Sequence, residues 1–306
     1  MFTALFTALF TARLEKRKAM ALVFVGSSIW GLLWIPLRWL DAVGYVGLWS
    51  TFAFMVIPVL PFIIWRGRTL IADRSNHLAY TITGGFIGLG FALYCTGLIF
   101  GSVTKTTLLF YLTPVWSSLL GMMLLGERGS IGRWIANLMG IGGCSLILGI
   151  NSEQIVFDHT DWYGFLSGFA WAAGSVGLRR FPEADFVNST LMQYVFGTVM
   201  VGAAIFYVGT PVPSFNVIMT GLPIAIFTTV IFLPSMLIIF RINQYISPGL
   251  VGLLMLSEAV FAVISAWILL GETLTPMQWT GAALVLGTAV LVALTDLGDD
   301  QSASGG

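Results

Sequence analysis

Charge is what this sequence has least of. Its 306 residues carry only 14 basic and 14 acidic side chains, 9% in all, and the formal net charge is +0. An ordinary soluble domain is about 25% charged, and so few polar groups cannot cover the surface of a soluble globule this large. A soluble enzyme, a disordered protein and a nucleic-acid binder are excluded, the last because no positive balance exists to displace counterions. Cysteine is nearly absent too. Cys95 and Cys144 both fall in apolar stretches, so they read as small buried hydrophobes rather than a disulfide framework. The two histidines, His77 and His159, fall in loops, and every aspartate lies at or beyond the end of an apolar run. An intramembrane hydrolase would need an aspartate pair, a Ser–His pair or a metal site within the bilayer. A Walker sequence is also missing. No cofactor, no metal and no enzymatic activity are expected.

What is present is apolar: 57% of the residues are hydrophobic. A membrane-crossing helix needs roughly 20 such residues. Ten segments qualify, approximately 19–40, 46–65, 78–100, 103–125, 133–150, 161–178, 187–208, 216–240, 248–270 and 276–295. Their connectors are short, so neighbours are antiparallel and a separate soluble domain has no room. With a cytoplasmic N-terminus, Arg13, Lys16, Arg17, Lys18, Arg66, Arg68, Arg74, Arg128, Arg133, Arg179, Arg180 and Arg241 share the inner side. Only Arg38 and Lys105 fall outside. Such asymmetry is the positive-inside pattern, and it predicts both termini in the cytoplasm of a cell (inner or plasma) membrane. Residues 1–18 hold a period-four FTAL repeat followed by basic residues, the reverse of a secretory signal. They read as an interfacial helix or a disordered segment. Residues 296–306 read as a polar cytoplasmic tail.

The chain also repeats itself. At a shift of 145, Leu124, Leu125, Gly126, Glu127 and Trp134 fall on Leu269, Leu270, Gly271, Glu272 and Trp279. At a shift of 141, Trp30 and Arg38 fall on Trp171 and Arg179. The fold expected is therefore an all-α polytopic membrane protein of ten helices in two five-helix repeats, residues 19–150 and 161–295. Five is odd, so the second repeat is inverted relative to the first. Inverted repeats place a cargo site at their interface near the midplane and let the halves exchange conformations.

Residues 111–127, YLTPVWSSLLGMMLLGE, and 256–272, LSEAVFAVISAWILLGE, resemble the fourth and ninth helices of the drug/metabolite transporter superfamily, EamA type. The resemblance covers about residues 20–295, and is closest to the YddG-type amino-acid exporters. It implies export of neutral and aromatic amino acids by alternating access. One departure is Ala259, where the pattern has the proline seen as Pro114; it puts the bend of the ninth helix in question.

Glu258 is the one acid well inside a span, where a carboxylate facing lipid is costly. It is expected to face the bundle interior, as a coupling or amine-binding group or as a structural acid. Trp30 and Trp34, four apart, share a helical face; with Tyr94, Tyr111, Trp116 and Trp171 they could stack a flat side chain or hold an ammonium over a ring. Ser257 could add a hydrogen bond. These eight residues are the cavity candidates. Pro58, Pro114 and Pro234 are expected to bend their helices, and the Gly126–Glu127 and Gly271–Glu272 pairs to make turns. Arg38, Lys105, Arg179 and Arg241 all lie near span ends, which disfavours phosphorylated cargo, since that needs a cation in the cavity. The function expected is export of a small organic metabolite, with a neutral or aromatic amino acid first. A multidrug or general metabolite exporter is the alternative, and an intramembrane enzyme or scaffold a remote one. The partners are that cargo and the lipid bilayer. The sequence specifies no oligomeric state.

Overall fold

In lipid every backbone N–H and C=O needs an internal partner, so long apolar runs become helices whatever their propensities. The computed structural model of the chain describes residues 14–149, 157–271 and 273–304. Among the described residues there are helices and no strands. Ten rods occupy the places of the ten expected spans: α1 (Lys16–Ala42), α2 (Leu48–Ala72), α3 (His77–Phe100), α4 (Val103–Leu125), α5 (Ile131–Ile147), α6 (Asp161–Arg180), α7 (Phe186–Val208), α8 (Phe215–Asn243), α9 (Pro248–Leu270) and α10 (Pro276–Ser304). Eight of them are long and apolar enough to cross a membrane. The others are α5, apolar but only 17 residues, and α6, whose 20 residues are diluted by glycine, serine and charged ends. Two boundaries differ from the sequence reading. α2 continues to Ala72, and the polar C-terminal stretch stays helical to Ser304. The FTAL repeat lies outside the described residues.

Small residues decide which rods touch. A Cβ on Gly164 would meet the Thr106 carbonyl at 2.7 Å, and one on Gly168 the Phe110 carbonyl at 2.9 Å. α6 therefore lies against α4 almost backbone to backbone. Gly84 and Gly88 do the same for α3 against α7, and Gly143 and Gly281 for α5 against α10. Cys95 and Cys144 are buried free thiols.

The polar ends sort into two groups. At one end Arg66 pairs with Asp185, Arg179 donates to the Gln244 carbonyl (3.0 Å), and Ser247 and Arg133 both donate to Glu127. At the other, Lys105 bridges Asp158 and Asp161, each at 3.0 Å, and the Tyr45 hydroxyl donates to the Ile218 carbonyl. These pairings hold together the residues that the ten-span parity puts on each side.

Candidate functional site

Four rods are broken near mid-length. α2 breaks at Ile57–Pro58, where the proline has no N–H to donate. The other three breaks meet at one site: α1 is interrupted at Gly31–Leu33, α4 at Tyr111–Leu112 and α9 at Leu256. Each of these three is bridged by i→i−3 bonds, such as Leu33 to Trp30, Leu112 to Leu109 and Leu256 to Leu253. That is the tighter 3₁₀ pattern, used in short pieces. In α4 the cause is visible: Pro114 has no N–H to continue the ladder. Helix α9 has Ala259 at the matching place and still breaks, so the bend that this substitution put in question is present. In α1, Gly31 lets the break press on α9. A Cβ there would collide with the Glu258 carbonyl and meet the Ala262 N at 2.7 Å.

The three breaks surround one cavity of about 340 Å³. Trp30, Gly31, Leu33, Trp34 and Leu37 come from α1, Phe91, Tyr94 and Leu98 from α3, and Val103, Thr107, Phe110 and Tyr111 from α4. Ile147 and Leu148 close it from α5, Trp171 from α6, and Met255, Glu258, Ala259, Ala262 and Val263 from α9. It reaches from the breaks toward the Lys105 end of the bundle. The other direction is closed by aromatic packing, with the Trp30 ring edge-on to Phe232 (5.3 Å), Phe54 (5.9 Å) and Phe91 (6.2 Å). Beyond that seal lie the Arg66–Asp185 and Glu127–Ser247 contacts. Asp185 also caps α7, accepting from the Val187 and Asn188 amides.

Most polar atoms of the lining are already committed. Trp30 Nε1 donates to Ser235 Oγ (2.7 Å) and Trp34 Nε1 to Ser265 Oγ (3.0 Å). The Tyr94 hydroxyl pairs with Thr107 (3.3 Å). The Tyr111 hydroxyl lies beside the Glu258 carboxylate. Trp171 Nε1 is buried without a partner. Outside the spans, Asp158 is held well below the usual carboxylate range by the Thr160 hydroxyl and by Lys105.

The structure thus brings together Trp30, Trp34, Tyr94, Tyr111, Trp171 and Glu258. It takes two sequence candidates elsewhere. Trp116 packs between Phe165 (5.3 Å) and Phe169 (5.7 Å) of α6. Ser257 is 1% exposed and ties α9 to α1, donating to the Phe24 carbonyl (3.1 Å) with its oxygen 3.2 Å from that of Ser28. Thr107, Phe91, Phe110 and Ala262 line the cavity although sequence reasoning did not single them out. Arg38 is not part of the lining, and its guanidinium lies 5.4 Å from the Trp34 ring centroid.

Comparison with known proteins gives the same architecture a family. The EamA-like transporter family matches twice, over residues 2–149 and 160–294. The chain belongs to that family. It is 23% identical over 150 residues to the S-adenosylmethionine uptake transporter of Rickettsia prowazekii, covering 49% of this chain and 50% of that one. The chain thus spans about half the length of that relative. It is 21% identical over 288 residues to the uncharacterized transporter YoaV of Bacillus subtilis, covering 88% of this chain and 94% of that one. A solved crystal structure matches with a TM-score of 0.69 at 18% identity, covering 92% of this chain and 98% of that chain. Family and relatives point to a membrane transporter rather than an enzyme.

Proposed function

We propose that the chain exports small organic metabolites, neutral or aromatic amino acids foremost, by alternating access between its two repeats. The observation that carries this reading is the cavity. It is closed at one end, lies where three broken helices meet, and draws its walls from both repeats. Helix breaks at a repeat interface are where transporters keep their cargo. Its rings offer stacking surface to a flat side chain, and its volume suits a molecule of amino-acid size. The charge asymmetry supports a cell-membrane location with the N-terminus, Arg66 and Arg179 facing the cytoplasm. The closed end would then face inward and the cavity outward. The sequence candidates that share this cavity, Trp30, Trp34, Tyr94, Tyr111, Trp171 and Glu258, are the proposed cargo contacts.

The test is counterflow in proteoliposomes, with labelled phenylalanine, a labelled cationic drug or a labelled sugar phosphate outside and unlabelled compound of the same class inside. Accumulation driven by internal amino acids is the expected result. Exchange driven only by the drugs would favour the multidrug alternative. Chemical conversion of the label would mean an enzyme, and efficient sugar-phosphate exchange with none of amino acids would overturn the argument from the missing basic residues.

A further inference from the structure

Deepening the transporter reading on which it rests, we propose that the cavity selects its cargo by an organic cation, an ammonium or sulfonium group, held between the Glu258 carboxylate and the surrounding ring faces. The cargo's own carboxylate, where it has one, contributes little. Two properties of the lining carry this. First, its ionisable side chains are Glu258, Tyr94 and Tyr111, and no lysine, arginine or histidine lines the cavity among the described residues. Arg38 is not part of the lining, and its guanidinium lies over the Trp34 ring. A carboxylate entering the cavity finds no opposite charge there. Second, the indole N–H groups of Trp30 and Trp34 and the Tyr94 hydroxyl are engaged with protein partners. That leaves few neutral donors: one hydroxyl hydrogen of the Tyr94–Thr107 pair, and the Trp171 N–H, which is buried without a partner. An anion needs several donors to replace its water, whereas a cation needs one carboxylate and aromatic faces, which attract it through their quadrupoles. The cavity is therefore built for the amine end of an amino acid and is poor for its acid end. The same chemistry takes aromatic amines and sulfonium compounds that lack a carboxylate.

Titration calorimetry on the purified full chain separates these ends with one aryl-ethyl body and four head groups: 2-phenylethylamine, phenylalanine, 3-phenylpropionate and 2-phenylethanol. The amine is expected to bind at least as tightly as phenylalanine and at least tenfold more tightly than phenylpropionate. Glu258→Gln is expected to weaken the amine tenfold or more while leaving 2-phenylethanol within twofold, which also reports a folded cavity. Phenylpropionate binding within twofold of the amine, absence of amine binding, or a Glu258→Gln protein that binds amine and alcohol as the wild type does would overturn the proposal. The head-group series on the wild-type chain decides it even where the variant does not fold. Counterflow keeps the two readings apart. Amino-acid exchange that the amine neither drives nor inhibits sinks the cation inference alone. The expected binding order without flux of any probe leaves this inference standing and sinks the transporter reading.

Discussion

Helices α4 and α9 occupy the same place in the two repeats, yet they reach the same shape by different means. With the shift of 145, Tyr111 falls on Leu256, Thr113 on Glu258 and Pro114 on Ala259. Both rods break there, α4 at Tyr111–Leu112 and α9 at Leu256. In α4 the break is written locally, by a proline that cannot donate. In α9 it is supported by a neighbour: Gly31 of α1 sits so close that a Cβ would strike the Glu258 carbonyl. The side chains diverge as well. Thr113 is buried and turns away, donating to the Phe110 carbonyl and reaching the Gly168 carbonyl of α6 at 3.4 Å. Glu258 in the same register faces the cavity, and Ala259 leaves open the volume that a proline ring would fill. Where two helices share a backbone path, the one shaped from outside is free to carry chemistry.

The largest effect should come from removing that outside support. Gly31→Val places a Cβ against the backbone of α9, at the Glu258 carbonyl and the Ala262 N, neither of which can swing aside as a flexible side chain would, and adds two methyl groups beyond it. Overpacking of this kind costs about 3 kcal/mol. The expected outcome is a strong fall in the thermal midpoint in detergent and loss of cargo binding. An unchanged midpoint would mean that α9 breaks without help from α1.

Ala259→Pro makes α9 resemble α4 directly. It removes the bond from the Ala259 N–H to the Leu256 carbonyl (3.1 Å), and it restricts Glu258 as the residue before proline. A loss of about 2 kcal/mol is expected from the bond and the restriction together. The ring also enters the cavity beside Glu258, so calorimetry should show cargo binding weakened about tenfold, the scale of a 1.4 kcal/mol clash. Unaltered binding would show that the volume beside Ala259 is not used by cargo.

Much of this was legible in the sequence, and the reasons for the remainder are physical. Hydropathy and charge parity gave the ten rods, because a bilayer leaves so few backbone solutions. Matching Trp30 to Trp171 by the repeat picked two residues that do share the cavity. Trp116 shows the limit. Its span carries hydroxyl residues on both faces, Thr107 toward the cavity and Thr113 toward α6, so polarity along α4 does not distinguish the two. For Ser257 the helical geometry itself carries a signal. Adjacent helical residues point about 100° apart, so Ser257 and Glu258 were poor candidates to face one cavity together. Thr107 and Ala262 carry no sequence signal, since small residues fit lipid faces, helix contacts and cavity walls alike.

The converse of installing a proline is removing one, and the expected effect is smaller. Pro114→Ala restores an N–H to α4 but leaves the packing that surrounds the break. Gly252 of α9 lies against Pro114, where an added Cβ would sit 3.0 Å from the proline Cα. The loss of ring contacts should cost about 1 kcal/mol, and cargo affinity should stay within twofold because Pro114 does not line the cavity of about 340 Å³. A larger loss of affinity would mean that α4 straightens, and that its break depends on the proline as strictly as the local chemistry allows.

The smallest effect tests whether Ser257 touches cargo or only joins helices, a role with no counterpart in α4, where the matching residue is Leu112. Its hydroxyl donates to the Phe24 carbonyl, which also accepts from Ser28 Oγ at 2.7 Å, and the two hydroxyl oxygens lie 3.2 Å apart. In Ser257→Ala both of the remaining groups keep their bond to each other, so no buried polar atom is orphaned. The cost is therefore that of a net hydrogen bond, about 0.5–1 kcal/mol, rather than the larger penalty of an unsatisfied group. Transport and the amine affinity should be unchanged within twofold, in contrast to Glu258→Gln one residue away. If Ser257→Ala instead weakens amine binding tenfold while the thermal midpoint holds, then the cargo reaches past Glu258 toward α1, and the wall between the cavity and the Ser28–Ser257 tie opens during the transport cycle.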